Sequence, residues 1–289
     1  MFKPIALSLA LTLPVLAMPQ LAAAQAEKLA GDAYVLIGKS GNVVIVPGRD
    51  GALLIDDERE TDVEEIKAAV KQVQPNGVVR YVINTHWHLD HSGGNEAFAT
   101  AGATIIAHRN VRARKSTEQF MSAYNRRIPT APATALPTVV YDTSLELHVG
   151  IETIQLRHTP RAHTDGDTLV RLEQANVLHM GDVFFNGLFP FIDRDSGGDI
   201  KGLIQSVDVG LAMADDKTKV VPAHGDITDK AGLQAYRNML NDVATKVQAM
   251  IGKGKTIEQV REAKLTAAYK LEGNGERFVD AIYQGLTAK

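Results

Sequence analysis

Between His86 and His224 the chain carries an ordered series of imidazoles and carboxylates: the cluster His86-Trp87-His88-Leu89-Asp90-His91, then His163, Asp182 and His224, with Asp56 upstream. Five of the nine histidines belong to it. Neutral imidazole and carboxylate are the donors that a divalent metal of borderline softness takes at neutral pH, and the side chains from His86 to His224 are enough for two ions. A fold that uses the series must bring four separate stretches of chain to one point. His86 and His88 stand two apart and cannot share a helix face, whereas an extended segment or a turn can aim both inward. Asp90 and His91 lie just beyond, within reach of a neighbouring ion.

Short apolar runs alternate with helical patterns along the chain. Val43 to Pro47 and Ala52 to Asp56 read as neighbouring strands joined by the turn residues Gly48-Arg49-Asp50-Gly51. From Thr61 to Val73 the apolar residues Val63, Ile66, Val70 and Val73 recur at helical spacing, Thr61 and Glu64 match a capping box, and Pro75-Asn76-Gly77 ends the helix. Val78 to Asn84, rich in β-branched and aromatic residues, predicts a buried strand that delivers the histidine cluster at its carboxyl end, and Gly93-Gly94 then opens another helix. Further strands are expected at Ala103 to Ala107, Thr138 to Tyr141, Leu145 to Val149, Thr153 to Arg157, Thr168 to Glu173, Val177 to Met180 and Val220-Val221. Helices are expected at Asp199 to Met213 and Lys230 to Met250. The helical C-terminal segment, about 229–289, has further helical stretches near Thr256 to Ala268 and Arg277 to Leu286, which pack on the main domain or flank its site. Strands interleaved with helices indicate an α/β chain. Arg112 to Pro137 is basic at first, then carries Phe120, Met121 and Tyr124, then three prolines; it reads as a surface helix with a stiff connection, or as an element covering a substrate.

Charged residues at 22% and apolar ones at 45% describe a globular chain with a sizeable core. A formal charge of −3 disfavours nucleic acid as a partner, since phosphate binding relies on clustered Lys and Arg. Met1 to Ala26 has one basic residue, Lys3, an apolar run from Ile5 to Ala17, and the small-x-small site Ala24-Gln25-Ala26. It predicts a secretory signal peptide, with a periplasmic or secreted mature chain beginning at Glu27. The apolar run is shorter than the roughly 20 residues of a membrane span, and Pro14 interrupts it, so no stable membrane anchor is expected. There is no cysteine, so an exported chain would rely on its core and its metals rather than on disulfides.

The series Thr85-His86-Trp87-His88-Leu89-Asp90-His91-Ser92-Gly93-Gly94, Ala162-His163-Thr164, Gly181-Asp182 and Pro222-Ala223-His224-Gly225 resembles the motif set of the metallo-β-lactamase superfamily: H-x-H-x-D-H, an isolated His, an isolated Asp or Cys, and a last His. The resemblance runs from about Tyr34 to Gly225. It implies a four-layer αβ/βα sandwich occupying residues 27–289, with two sheets face to face, helices outside and the site along one edge. It implies that His86, His88 and His163 hold a first divalent metal, that Asp90, His91 and His224 hold a second, most readily zinc in both, and that Asp182 bridges them. A metal-bound hydroxide then attacks a small-molecule lactam, lactone, ester or thioester. Asp90 orients the attacking oxygen or passes a proton to the leaving group, and Asp56 fixes the histidine loop through hydrogen bonds.

Asp at the bridging position points toward thioesterases of the glyoxalase II type and lactonases, because the most familiar zinc β-lactamases place Cys there. Those lactamases commonly carry Lys three residues later for the substrate carboxylate. Here that position is Phe185, with Arg194 a candidate replacement, and β-lactam hydrolysis stays open. The aromatic stretch Phe184 to Phe191 is read equally as core or as pocket. The rivals are redox enzymes of the same fold, diiron proteins and persulfide dioxygenases, and a binding protein; the dioxygenases omit part of the second metal set, which is complete here, diiron reductases work with a flavin domain not found in this sequence, and a binding protein would show a lost ligand, where none is lost.

His108, His148, His158 and His179 are read as structural. An alternating strand would turn His179 to the face opposite Met180 and Asp182, away from the metals. Gly254-Lys255-Thr256 suggests a phosphate-binding loop only superficially; a helix terminus at Gly252 or Gly254 and a capping box of Thr256 with Gln259 explain it. No G-x-S-x-G occurs, so covalent serine catalysis has no support.

Overall fold

The computed structural model describes residues 25–288. The described residues form, in order, fourteen strands and eight α-helices: β1 (Ala26–Ala30), β2 (Ala33–Ile37), β3 (Asn42–Val46), β4 (Ala52–Ile55), α1 (Val63–Val73), β5 (Val79–Asn84), α2 (Leu89–Ser92), α3 (Asn95–Thr100), β6 (Thr104–His108), α4 (Arg109–Lys115), β7 (Gln119–Met121), β8 (Arg126–Ile128), β9 (Val139–Tyr141), β10 (Ser144–Val149), β11 (Glu152–His158), β12 (Thr168–Leu172), β13 (Val177–His179), α5 (Ile200–Met213), β14 (Lys219–Val221), α6 (Lys230–Gly252), α7 (Ile257–Glu262) and α8 (Gly275–Thr287). One sheet runs β1-β2-β3-β4-β5-β6-β9 and a second β10-β11-β12-β13-β14, while β7 and β8 form a separate hairpin. The first sheet is antiparallel through β4 and parallel from β4 to β9; the second is antiparallel except for the β13–β14 pair.

Side-chain alternation builds the layers. In β3 and β4, Val43, Ile45, Ala52 and Leu54 face α1 and α3, whereas Val44, Val46, Leu53 and Ile55 face the second sheet. In β12 and β13, Val170, Leu172 and Val177 meet them from the other side, and Leu169 and Leu178 face α5, α6 and α8. Strands buried on both faces read as continuous apolar runs, which is why these were legible. The result is the expected αβ/βα sandwich of four layers.

Several local expectations are corrected. The helix expected from Thr61 begins with a 3-10 turn at Glu60–Asp62, and α1 has no side-chain cap, so Thr61 and Glu64 form no capping box. Asp62 is instead engaged by the hydroxyl of Ser40 at 2.7 Å, which ties this turn to the β2–β3 loop. The Thr256 to Ala268 stretch is helical only through Glu262, although its capping box of Thr256 and Gln259 forms as expected. Arg112 to Pro137 holds the end of α4 and then the β7–β8 hairpin, where no strand was predicted. The predicted leader lies outside the described residues except for Gln25 and Ala26, and Ala26 already pairs with Leu36 in β1. Among the described residues no helix is long and apolar enough to cross a membrane.

Candidate metal centre and its cavity

Strands β5, β11, β13 and β14 all point their carboxyl ends toward one edge of the sandwich, and the predicted donors follow those ends. After β5, Thr85 to His88 form an irregular turn, and α2 is the single helical turn that carries Asp90 and His91. This segment is braced from within. The Ser92 hydroxyl donates to the carbonyl oxygens of Trp87 and His88, Asn84 Nδ2 donates to the His91 carbonyl, and the buried Lys115 ammonium donates to the carbonyl and hydroxyl of Ser92. Asp182 follows β13 within the 3-10 turn Gly181–Val183, and His224 follows β14. Gly225 after it adopts φ +97°, and a Cβ there would lie 1.9 Å from the Asn186 carbonyl oxygen, so only glycine lets the two loops meet.

The donor atoms form two sets. His86 Nε2 and His163 Nε2 lie 3.0 and 2.9 Å from His88 Nδ1, and they lie 3.8 and 3.4 Å from Asp182 Oδ2. The other oxygen of Asp182, Oδ1, lies 3.5 Å from His91 Nε2 and 3.3 Å from His224 Nε2, both of which are about as close to the Asp90 carboxylate, at 4.0 and 3.9 Å. Every residue expected in the series thus comes to one place, with the two oxygens of Asp182 divided between the sets.

The second ring nitrogens fix the tautomers. His91 Nδ1 meets Asp56 Oδ2 at 2.9 Å, His163 Nδ1 the Phe191 carbonyl at 2.7 Å, His86 Nδ1 the Thr85 hydroxyl oxygen at 3.2 Å, and His88 Nε2 the Asp193 carboxylate at 2.9 Å. With a proton on each of these nitrogens, His86 Nε2, His163 Nε2 and His88 Nδ1 aim lone pairs into the first set, and His91 Nε2 offers one to the second when a cation takes the place of its proton. Asp56, at φ +63°, also accepts from the Thr85 amide and hydroxyl.

Electrostatics favour a cation here. Burial pushes His86 far below its ordinary range, helped by the neighbouring imidazoles, and burial together with His88 lowers His163. Burial opposes charge on Asp182, but His224, His91, His163 and His88 outweigh it and hold the carboxyl at about 2. Burial also opposes charge on His91, yet Asp182, Asp56 and Asp90 raise it to about 10. Two facing atoms, His91 Nε2 and Asp182 Oδ1, are buried without a hydrogen-bond partner. Convergent lone pairs, orphaned buried donors and three carboxylates around His91 fit divalent ions in both sets.

Above the donors lies a cavity of about 510 Å³. Trp87, Met121, Ile128, Phe185, Phe189 and Phe191 supply apolar wall, so the β7–β8 hairpin does line the site, and the aromatic stretch divides, with Phe184 in the core and Phe185 to Phe191 facing the cavity in part. Arg194 is not available as a replacement for the missing lysine: it is bonded to Asp199 and to the Gly198 carbonyl. Arg59, Arg126 and Arg277 line the cavity instead.

Of the remaining histidines, His148 is exposed beside Glu146, and His108 and His158 stack face to face at 3.6 Å, away from the donor sets. His179 is buried and structural, although the strand does not continue from it to Asp182. Strand β13 ends at His179, Gly181 turns to φ +53°, and the imidazole accepts from the Gly181 amide while its other nitrogen contacts the Asn42 carbonyl. It lies between the sheets with Val177, on the face opposite Met180 as expected, where its ring reaches Asn42 of the first sheet. Asp193 and Lys115 were not singled out from the sequence, since nothing local in either segment marks them.

A family model described as the metallo-beta-lactamase superfamily matches residues 27–225. A hydroxyacylglutathione hydrolase from a Polaromonas species is 27% identical over 218 residues, which are 74% of this chain and 71% of that one. Among solved structures, a metallo-beta-lactamase from Pontibacter korlensis superposes with a TM-score of 0.61 at 21% identity, over 76% of this chain and 99% of that one. A stereoselective inverting sec-alkylsulfatase from a Pseudomonas species superposes with a TM-score of 0.67 at 18% identity, over 90% of this chain but only 50% of its own length.

Proposed function

The chain belongs to the metallo-beta-lactamase superfamily and is a metal-binding hydrolase, and from that premise we propose that it is a dinuclear enzyme that cleaves a thioester or ester of a small molecule. The observation that carries the dinuclear reading is the division of Asp182: each of its oxygens faces a different set of imidazoles. His86, His88 and His163 would hold one ion, Asp90, His91 and His224 the other, with Asp182 between them. Ions in these places, zinc in our reading, would supply Lewis acidity toward the scissile carbonyl and toward water.

The protein's own groups do the rest. Asp56, Asp193, Thr85 and the Phe191 carbonyl hold the rings in the neutral tautomer that binding requires. Asp90, about a quarter exposed and tethered by Arg59 at 3.6 Å, stands at the cavity floor, where its carboxylate can orient an incoming water or carry a proton to the leaving group. The aromatic wall excludes bulk solvent from the acyl portion of a substrate. The hydroxyacylglutathione hydrolase relative supports a thioester, and lactones and β-lactams present the same electrophilic carbonyl. We further propose that the chain is exported and cleaved after Ala26, which the intact mass of the mature protein checks.

The test is a panel: purified protein with measured metal content is assayed on S-lactoylglutathione, a simple ester, an acyl-homoserine lactone and nitrocefin. Two ions per chain with turnover of the thioester or ester supports the reading. A single ion at saturation, or turnover confined to nitrocefin, overturns it.

A further inference from the structure

Two arginines that line the cavity, Arg126 and Arg277, have no ion pair among the described residues. Arg126 begins β8, directly after Asn125 at φ +47° turns the hairpin, and Arg277 lies in the first turn of α8, whose cap is Asn274. Both line the cavity over the donor sets. Neither guanidinium has an ion pair or a hydrogen-bond acceptor among the described residues. Arg277 packs over the Tyr124 ring, 4.6 Å from its centroid, and Tyr124 in turn meets Phe191 edge-on at 5.3 Å. Other arginines have partners of their own: Arg114 meets Asp165, Arg127 Glu118, Arg237 Asp208 and Arg261 Asp280, while Arg112 donates to the Pro137 carbonyl.

The carboxylates of the adjoining lobe have partners of their own. A second lobe of the cleft, about 430 Å³, adjoins the first through Phe191, Asn274 and Arg277, and it holds Asp193, Asp195, Glu276 and Asp280. Asp193 accepts from His88, Asp195 accepts the Ser122 amide, and Glu276 and Asp280 both meet Arg261. Arg59, the third arginine of the cavity, is held by the Ser40 hydroxyl and by Asp90. Asp193 and Asp195 keep their charges but are fixed by these bonds, and exposed Arg126 and half-buried Arg277, carried to one cavity by two unrelated elements, are its two arginines without an ion pair among the described residues.

A planar guanidinium binds oxyanions through a fixed fork of N–H donors, and it does so most strongly where water is thinned by apolar neighbours. We propose that Arg126 and Arg277 form an anion clamp, so that the preferred substrate has an apolar body bearing a single oxyanionic group away from the bond that is cleaved. The proposal deepens the hydrolase reading above and rests on it for the word substrate, but the clamp itself is a binding property of the cavity. The hairpin and the C-terminal helix each contribute one jaw, and Tyr124 on the hairpin holds the jaw on the helix in place.

Trp87, the single tryptophan, lines the same cavity and reports occupancy by fluorescence. The metal-loaded protein is titrated with 3-phenylpropane-1-sulfonate, whose sulfonate is a weak metal ligand, and with the neutral 3-phenylpropan-1-ol. Arg126→Gln, Arg277→Gln and the double variant are compared with wild type, and Arg49→Gln in the distant β3–β4 turn is the control. Each cavity variant should weaken the sulfonate about tenfold, as expected for loss of one charged hydrogen-bond donor, and should leave the alcohol and the metal content unchanged. With a pair of aryl esters that differ only by a carboxylate on the acyl chain, the preference for the anionic ester should vanish in the double variant through KM. Equal affinity of wild type for sulfonate and alcohol, or equal weakening of both in the variants, would overturn the clamp. If the sulfonate is selected as described but no ester or thioester is cleaved, the clamp stands and the hydrolase substrate reading falls.

Discussion

Asp193→Asn tests the least obvious part of the metal centre. Asp193 is 1% exposed, and its Oδ2 accepts from His88 Nε2 at 2.9 Å while Oδ1 accepts the Ser196 amide at 3.1 Å. Burial opposes its charge, but the bond to His88 prevails and holds the carboxyl at about 2, so the side chain is an anion throughout the working range. Asparagine keeps the size and can keep only one of the two bonds. If its oxygen stays on the Ser196 amide, its NH2 faces His88 Nε2, and that nitrogen must become an acceptor. The ring proton then moves to Nδ1, the atom that lies 3.0 Å from His86 Nε2 and 2.9 Å from His163 Nε2, and the lone pair needed for a metal is lost. If the amide flips, the Ser196 amide meets an NH2 instead. A hydrogen bond to a charged group is worth about 1.5–3 kcal/mol, which at ~1.4 kcal/mol per decade is roughly a tenfold to hundredfold loss. The same range, about 10–100-fold, is typical for removing a partner that orients a metal-bound histidine. Zinc affinity measured by competition with a chromophoric chelator should fall by that factor, with the exposed Asp216→Asn as control. Wild-type affinity and turnover in Asp193→Asn would refute the claim that Asp193 sets the His88 tautomer.

Three further outcomes are expected. Exhaustive chelation should abolish turnover and lower the melting temperature, with zinc restoring both, because the emptied sets would leave Asp182 and Asp90 repelling across unpaired imidazoles; full turnover of metal-free protein would rule the mechanism out. His108 is held down to about 4 by burial and by the stacked His158. Its folded pKa lies below the unfolded 6.5, so the unfolded chain takes the proton first, and stability is intact above pH 6.5 and declines from there toward pH 4. Urea titrations at pH 7 and pH 5 should differ less in His108→Asn than in wild type by about 1–2 kcal/mol, and identical differences would contradict the assignment. His179→Ala should cost about 2–4 kcal/mol by orphaning the Asn42 carbonyl and the Gly181 amide while two ions still bind; unchanged stability would mean these contacts carry nothing.

What could be read in advance follows from how local each signal is. Strands β3 and β4 are buried on both faces, and so is β5 from Val82 onward, so their apolar runs declare them regardless of what they pack on. Strand β1, Ala26–Ala30, is an edge strand with two exposed charged residues, Glu27 and Lys28, and no buried one, and its first residue was absorbed into the predicted cleavage site. The hairpin β7–β8 has strands of three residues with no apolar alternation. What fixes it is tertiary: Tyr124 between Phe191 and Arg277, and the Ser122 amide on Asp195, seventy-three residues away. A local pattern could offer only a covering element or a surface connection there.

The donor series was visible because its chemistry resides in residue type and spacing, whereas the groups that orient it were not. Asp193 acts on His88 across 105 residues, and no periodicity links the two. The alternation carried from His179 to Asp182 shows the same limit from the other side. Period-two alternation assumes that the strand continues to Asp182, but a carboxylate fixed on a strand would present both oxygens to one face. Asp182 serves two donor sets because β13 stops at His179 and Gly181, at φ +53°, swings the chain into a 3-10 turn. A Cβ at Gly181 would lie 2.8 Å from Thr85 Cβ, so the turn also seats against the residue that leads into His86. The break in the pattern is thus what allows one side chain to face both halves of the site, and an isolated Asp directly after a glycine at a strand end is the local mark it leaves in the sequence.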